Sequence, residues 1–203
     1  MPVFHCRVAL LAASVPIVLA MSACNAPPVA QAPAAPAAAP APSPAERGKM
    51  LVIGGGCHDC HTTKKLGANG PEPDMSMMLA GHPESIKVAT PYRTAPGSQW
   101  AIGITDTLTA WSGAWGVSFA ANLTPDKDTG ITSGVWTEDL FVKALQSGKH
   151  MGTARDILPP MPWYWYGKLP ENDLRAIYAY LLTIPPIKNH VPDPLPPAGA
   201  PRK

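Results

Sequence analysis

Five consecutive residues, Cys57-His58-Asp59-Cys60-His61, carry the most specific chemistry in the chain. Two thiols three positions apart, with a histidine directly after the second, have the spacing at which c-type haem is attached. On one turn of helix both sulfurs can add to the two vinyl groups on one edge of a porphyrin. His61 then lies under the ring, where an imidazole nitrogen reaches the iron. Three other uses of the pair compete. A thioredoxin-type couple belongs between a strand and a helix in a βαβ unit, and no such pattern surrounds it. A structural zinc ion needs four ligands, which would recruit His58 or His61 together with the distant His82 or His150. A reversible disulfide would leave His61 idle. Attachment of haem uses all three side chains, and a single motif without internal repeats predicts one covalently attached haem c.

The elements that must position this motif are legible in part. The chain has 203 residues, 26 of them proline, with 15% charged and 46% hydrophobic. Residues 26–44 and 185–203 hold seven prolines each, which leaves a folded block at 45–184 between two segments unsuited to helix or sheet. A block of that size buries a core without disulfides. Its charges nearly cancel, 12 Lys and Arg against 13 Asp and Glu, so no broad basic surface for nucleic acid exists. A helix is predicted at Ala45–Ile53, before the turn Gly54-Gly55-Gly56 that leads into the motif. A second follows the N-cap Thr137 over Glu138–Ser147, and Gly148 ends it. A third runs from Pro170 to about Thr183, with Leu174, Ile177, Tyr178, Leu181 and Leu182 on one face before Pro185-Pro186. Residues 62–135 are poor in helix signals. A short turn near Met75–Ala80 and a hairpin of Trp100–Leu108 with Trp111–Ala121 are the expectations there.

The N-terminal segment reads as an address. Arg7 precedes an apolar run from Val8 to Met21, too short to span a bilayer, and small residues follow. Met21-Ser22-Ala23-Cys24 resembles the lipobox of bacterial lipoproteins, which implies an export signal at 1–23 and a lipid on Cys24. Cleavage after Ser22, with Cys24 a plain thiol, is the competing reading. Residues 24–44 would form a Pro/Ala-rich tether reaching about 60 Å at roughly 3.1 Å per residue. Asn25 leans towards the outer membrane by analogy with lipoprotein sorting.

The order of helices around Cys57–His61 resembles a class I c-type cytochrome. Ala121–Asp126, Thr129-Gly130-Ile131, Trp136–Phe141 and Leu158-Pro159-Pro160-Met161-Pro162-Trp163 resemble haem domains in the cytochrome subunits of periplasmic alcohol and sugar-acid dehydrogenases. The resemblance covers about 46–186. It implies a mostly α, class I cytochrome c fold, with a long irregular insertion between the haem motif and the second helix. It also implies a sixth iron ligand from a Met before the last helix. Met161, between Pro160 and Pro162, is favoured, with Met151 next and a bis-His haem through His82 or His150 the outside alternative. Met75, Met77 and Met78 are expected to pack in the core or line a pocket. Trp163-Tyr164-Trp165-Tyr166 is expected to pack between loop and helix, or to meet a haem propionate. Asn122, Trp115 and Trp136 are weaker candidates for that polar pocket.

These readings predict a periplasmic, membrane-tethered monohaem protein that carries single electrons between redox partners, a donor dehydrogenase and a terminal acceptor, and is not itself an enzyme. Its assembly as an obligate haem subunit of a dehydrogenase or oxidase is the first alternative. A haem-based gas sensor is the second.

Overall fold

The computed structural model describes residues 40–88, 92, 95 and 97–197. The expected export signal, Cys24 and most of the tether lie outside the described residues. Helix α1 (Pro44–Gly54) starts on a reciprocal cap: Ser43 Oγ accepts the Glu46 amide at 3.3 Å, and Glu46 Oε2 accepts the Ser43 amide at 2.8 Å. The motif itself is the one-turn helix α2 (Cys57–His61). Strands β1 (Lys64–Gly67) and β2 (Gly70–Pro73) make a hairpin in which Lys64 faces Pro73. A 3-10 turn at Met75–Met77 follows. Then come β3 (Gly103–Ile104), β4 (Ala110–Gly113) and β5 (Gly116–Phe119), an antiparallel sheet in the order β3-β4-β5. Helices α3 (Glu138–Ser147), α4 (Trp163–Tyr166) and α5 (Glu171–Leu181) complete the order.

Helix accounts for 31% of the described residues and strand for 14%, in five helices and two small antiparallel sheets. The mostly α, class I cytochrome expectation is therefore corrected to a mixed architecture. The stretch expected to be irregular holds both sheets. Their strands are two to four residues long and rich in Gly and Pro, and β1 and β2 bury little, so no alternation of apolar and polar residues marks them. The expected hairpin also shifts. Trp111–Ala121 folds back on itself through Ala114-Trp115, setting Gly113 opposite Gly116, and only Gly103 and Ile104 of the preceding segment pair with it.

One apolar cluster unites the helices: Val52 from α1, Phe141, Val142 and Leu145 from α3, and Leu174, Ile177, Tyr178 and Leu181 from α5, joined by Leu79, Ile131 and Ile184. Each such side chain contributes on the order of 1.5–3 kcal/mol by leaving water. Helix α1 crosses α5 at Gly48, where even a methyl group would overlap the Ala176 carbonyl. Arg47 adds a bidentate pair to Asp173 across that crossing, both distances 2.9 Å.

Beyond α5 the chain is neither helix nor ladder, yet residues 184–197 return across the sheet side as a strap. Leu195 exchanges two backbone hydrogen bonds with Val117, at 2.8 and 2.9 Å. Lys188 pairs with Asp128 at 2.9 Å.

Candidate functional site

Helix α2 is too short to be stable alone, and its two ends are tied from outside. At the entrance, the Tyr166 hydroxyl of α4 donates to the Gly55 carbonyl. At the exit, Lys64 Nζ donates to the carbonyls of His58 (2.7 Å) and Thr62 (3.2 Å), the position where a cation complements a helix C-terminus. Thr62 Oγ1 accepts the Leu79 amide at 3.0 Å and lies 3.0 Å from His58 Nδ1, anchoring the motif to the buried Leu79.

His61 is 8% exposed, and its Nδ1–H donates to the Ala121 carbonyl at 2.8 Å. Burial pushes its pKa down, against the opposing pull of that carbonyl, so the ring is neutral. With the proton on Nδ1, the lone pair sits on Nε2, which makes no hydrogen bond among the described residues. No side-chain nitrogen or oxygen among the described residues is buried without a partner, so Nε2 is not completely sealed from solvent. Cys57 and Cys60 are both free thiols. Burial raises the Cys57 thiol to about 11 and moves Cys60 in the same direction. Thiol–disulfide couples rely on the opposite shift. Among the described residues no group of three or more His, Cys, Asp and Glu is arranged to hold a metal ion, which leaves the zinc reading without a ligand set.

Cys57 and Met161 pack against the same apolar cluster, together with Met78, Leu123, Trp136 and Tyr166. Met161 follows Pro159, whose carbonyl accepts the Ser118 hydroxyl of β5 at 2.5 Å. The loop carrying the sulfur is thus tied to the sheet on one side and continues into α4 on the other. Met151 is not part of this group. It occupies a 3-10 turn with φ 53°.

No family model matches the chain. Over 139 residues it is 30% identical to the cytochrome c subunit of gluconate 2-dehydrogenase from Pantoea cypripedii, covering 68% of this chain and 22% of that one. Over 148 residues it is 29% identical to the cytochrome subunit of fructose dehydrogenase from Gluconobacter japonicus, covering 73% and 22%. Over 81 residues it is 35% identical to the cytochrome c subunit of a quinone-dependent alcohol dehydrogenase from Gluconobacter oxydans, covering 38% and 16%. These three relatives are cytochrome subunits of dehydrogenases. The match spans less than a quarter of the length of each of these relatives.

The remaining candidates divide cleanly. His82 is wholly buried with both ring nitrogens engaged: Nε2–H donates to the Ile86 carbonyl at 3.0 Å, and Nδ1 accepts the Thr109 hydroxyl at 2.9 Å. His150 stacks edge-on against Trp136 with centroids 5.1 Å apart. Of the three early methionines only Met78 reaches the core, and Met75 is 58% exposed. The aromatic run splits in the same way. Tyr166 packs inward, Trp163 lies over Gly148, and Tyr164 and Trp165 face solvent. Asn122 and Trp115 serve the fold: Asn122 Nδ2 donates to the Ile187 carbonyl at 2.8 Å, and Trp115 Nε1 to Ser118 Oγ at 3.2 Å. Sequence reasoning missed Lys64 and the Ala121 carbonyl. A lysine three residues past His61 is a recognisable helix-end signal, whereas a backbone acceptor 60 positions away has none.

Proposed function

We propose that this chain is the haem-bearing electron-transfer subunit of a dehydrogenase complex, with one covalently attached haem c. The observation that carries the reading is His61, locked through Nδ1 with Nε2 unspent, in a motif of two free thiols of which Cys57 packs against the same apolar cluster as Met161. These residues fit the group: two thiols for thioether bonds, a nitrogen and a neutral sulfur for the iron, and apolar side chains for the ring. A bound haem c would supply a one-electron Fe(III)/Fe(II) couple there. Cys57 and Cys60 would hold the macrocycle covalently, His61 and Met161 would supply a nitrogen and a sulfur to its iron, and the tied loop would limit the entropy lost in keeping Met161 in place. The homologues among dehydrogenase cytochrome subunits favour a complex over a free shuttle, with catalysis left to a partner subunit. In the same reading, residues 1–23 direct export and Cys24 carries the lipid. Residues 24–44 tether the haem domain at 45–184, with the Pro-rich segment at 185–203 after it, to the periplasmic face of a membrane, the outer one by Asn25. Among the described residues no helix is long and apolar enough to cross a membrane.

Purification of the full chain from its native membrane in mild detergent tests this reading. The expected result is one haem per chain and co-purification of a substrate-oxidising subunit that reduces the haem on substrate addition. A haem-loaded chain that purifies alone and is reduced by no co-resident dehydrogenase would overturn the complex. Release of a Cys24→Ser form into the soluble fraction is the expected sign of the lipid anchor; full membrane retention would refute it.

A further inference from the structure

We propose that Asn189, on the C-terminal strap, is a positioning residue for His61, acting through Gly81 on the carbonyl that orients the imidazole. The proposal rests on the haem reading above. Asn189 is 2% exposed and lies 128 positions after His61 in the chain. Its side-chain amide is fully committed. Nδ2 donates to the carbonyls of Ala80 at 2.7 Å and His82 at 2.9 Å, and Oδ1 accepts the Glu84 amide at 2.9 Å. Its own backbone N–H is held by Thr129 Oγ1 at 3.0 Å.

The two carbonyls that Asn189 grips flank Gly81. That residue sits at φ 78° and donates its N–H to the His61 carbonyl at 2.8 Å. Glycine is required here twice over, for the left-handed backbone and for the contact, since a methyl group would overlap the carbonyls of Ala120 and Ala121. His82 N–H donates to the Ala120 carbonyl at 3.0 Å, and Leu123 N–H to the Leu79 carbonyl at 2.8 Å. Segments 79–82 and 120–123 therefore lie side by side, and the Ala121 carbonyl that accepts His61 Nδ1–H is wedged against Gly81. A side chain with two donors and one acceptor fits this clamp. Leucine has neither, and aspartate would set a charged oxygen against two carbonyls.

A fixed acceptor on Nδ1 makes the other nitrogen a stronger ligand, and second-shell partners of this kind tune the bound metal. Loosening the clamp weakens that donation and favours the reduced state of the iron. The test compares wild-type holoprotein with Asn189→Leu and Asn189→Asp, using Lys188→Ala on the same strap as a control. Both Asn189 variants are expected to keep one haem, shift the midpoint potential upward and move the hyperfine-shifted ring-proton resonances of His61 in the oxidised protein. Gly81 amide exchange should rise about tenfold, the loss of roughly one hydrogen bond, and Lys188→Ala should change none of these. Haem-loaded variants with the wild-type potential and His61 resonances would overturn the positioning role alone. A wild-type chain without haem would overturn the underlying reading as well. Should both variants fail to accumulate, side-chain amide exchange of Asn189 in the wild-type protein decides. Protection equal to that of core amides supports the clamp, and rapid exchange refutes it.

Discussion

The helical side of the molecule and its sheet side are held together by different forces. Helices α1, α3 and α5 meet through Val52, Phe141, Leu145, Leu174 and Leu181, an apolar interior crossed by few polar groups. Opposite them, Thr62, Thr63, His82, Thr107, Thr109, Asn122, Thr124 and Asn189 are all buried beside Ala110, Trp111, Val117 and Ala120, and their hydrogen bonds add to the apolar packing there. The polar region can be followed as a chain. Thr109 donates to His82 Nδ1 and lies 2.8 Å from Thr107, which is 3.0 Å from Thr105. The difference assigns the two sides separate tasks in the proposed site. Cys57 and Met161 belong to the apolar side, while His61 takes its orientation from the polar one.

The largest expected effect comes from removing the covalent attachment. Cys57→Ala/Cys60→Ala should abolish haem that survives denaturing electrophoresis; retention of haem on such a gel would break the assignment. Next in size is Leu174→Ala, at the wholly buried centre of the helical side, with an expected cost of about 2–5 kcal/mol in denaturant unfolding. Asn122→Ala probes the other side, where Nδ2 holds the Ile187 carbonyl and Oδ1 accepts both the amide and the hydroxyl of Thr124, at 2.9 and 2.7 Å. A cost of about 1–3 kcal/mol is expected, with the strap amides losing exchange protection before those of α5. Equal loss in both regions would show that the two sides unfold as one.

Acid titration sharpens the same contrast. Burial holds the pKa of His82 below its ordinary value, so the folded state keeps the ring neutral. Above the ordinary histidine value of about 6.5 both states are neutral and the contribution to stability is complete. As pH falls through that value the unfolded chain takes up the proton first, and stability declines towards the folded pKa. His58 and His150 are lowered by burial too and act in the same direction. His82→Gln should therefore flatten the slope below pH 6.5 without removing it. An unchanged slope would exclude His82 as a contributor. Smallest of all is Arg47→Ala, since the guanidinium is half exposed and its pair with Asp173 is a surface bridge. Thermal melting should barely move.

The same division decides what could be read in advance. Helix α3 starts and stops where Thr137 and Gly148 place it, because a cap, an acidic first turn and an apolar stripe all agree. Helix α5, Glu171–Leu181, lacks a side-chain cap but keeps an acidic first turn and an apolar stripe behind Pro170, and it ends two residues earlier than its apolar pattern suggested. The sheet side escaped because its order comes from side chain-to-backbone bonds over long separations. Asn189 stands in Pro-Pro-Ile-Lys-Asn, a run that reads as loop, and its partners are carbonyls that no residue type betrays. Likewise β1 and β2 are Lys-Lys-Leu-Gly and Gly-Pro-Glu-Pro, with no apolar face to announce a strand. Spacing alone singles out the thiols and His61 as candidates, whereas the setting of His61 Nδ1 is visible only in three dimensions.

The most direct test of the account is the visible spectrum of the oxidised holoprotein alongside Met161→Ala and Met151→Ala. A haem held by His61 and Met161 predicts one haem per chain and a sulfur-to-iron charge-transfer band. That band should vanish and the midpoint potential fall in Met161→Ala, and both should persist in Met151→Ala, since a neutral methionine sulfur on the iron raises the potential. A band and potential that survive the loss of the Met161 sulfur would contradict the account.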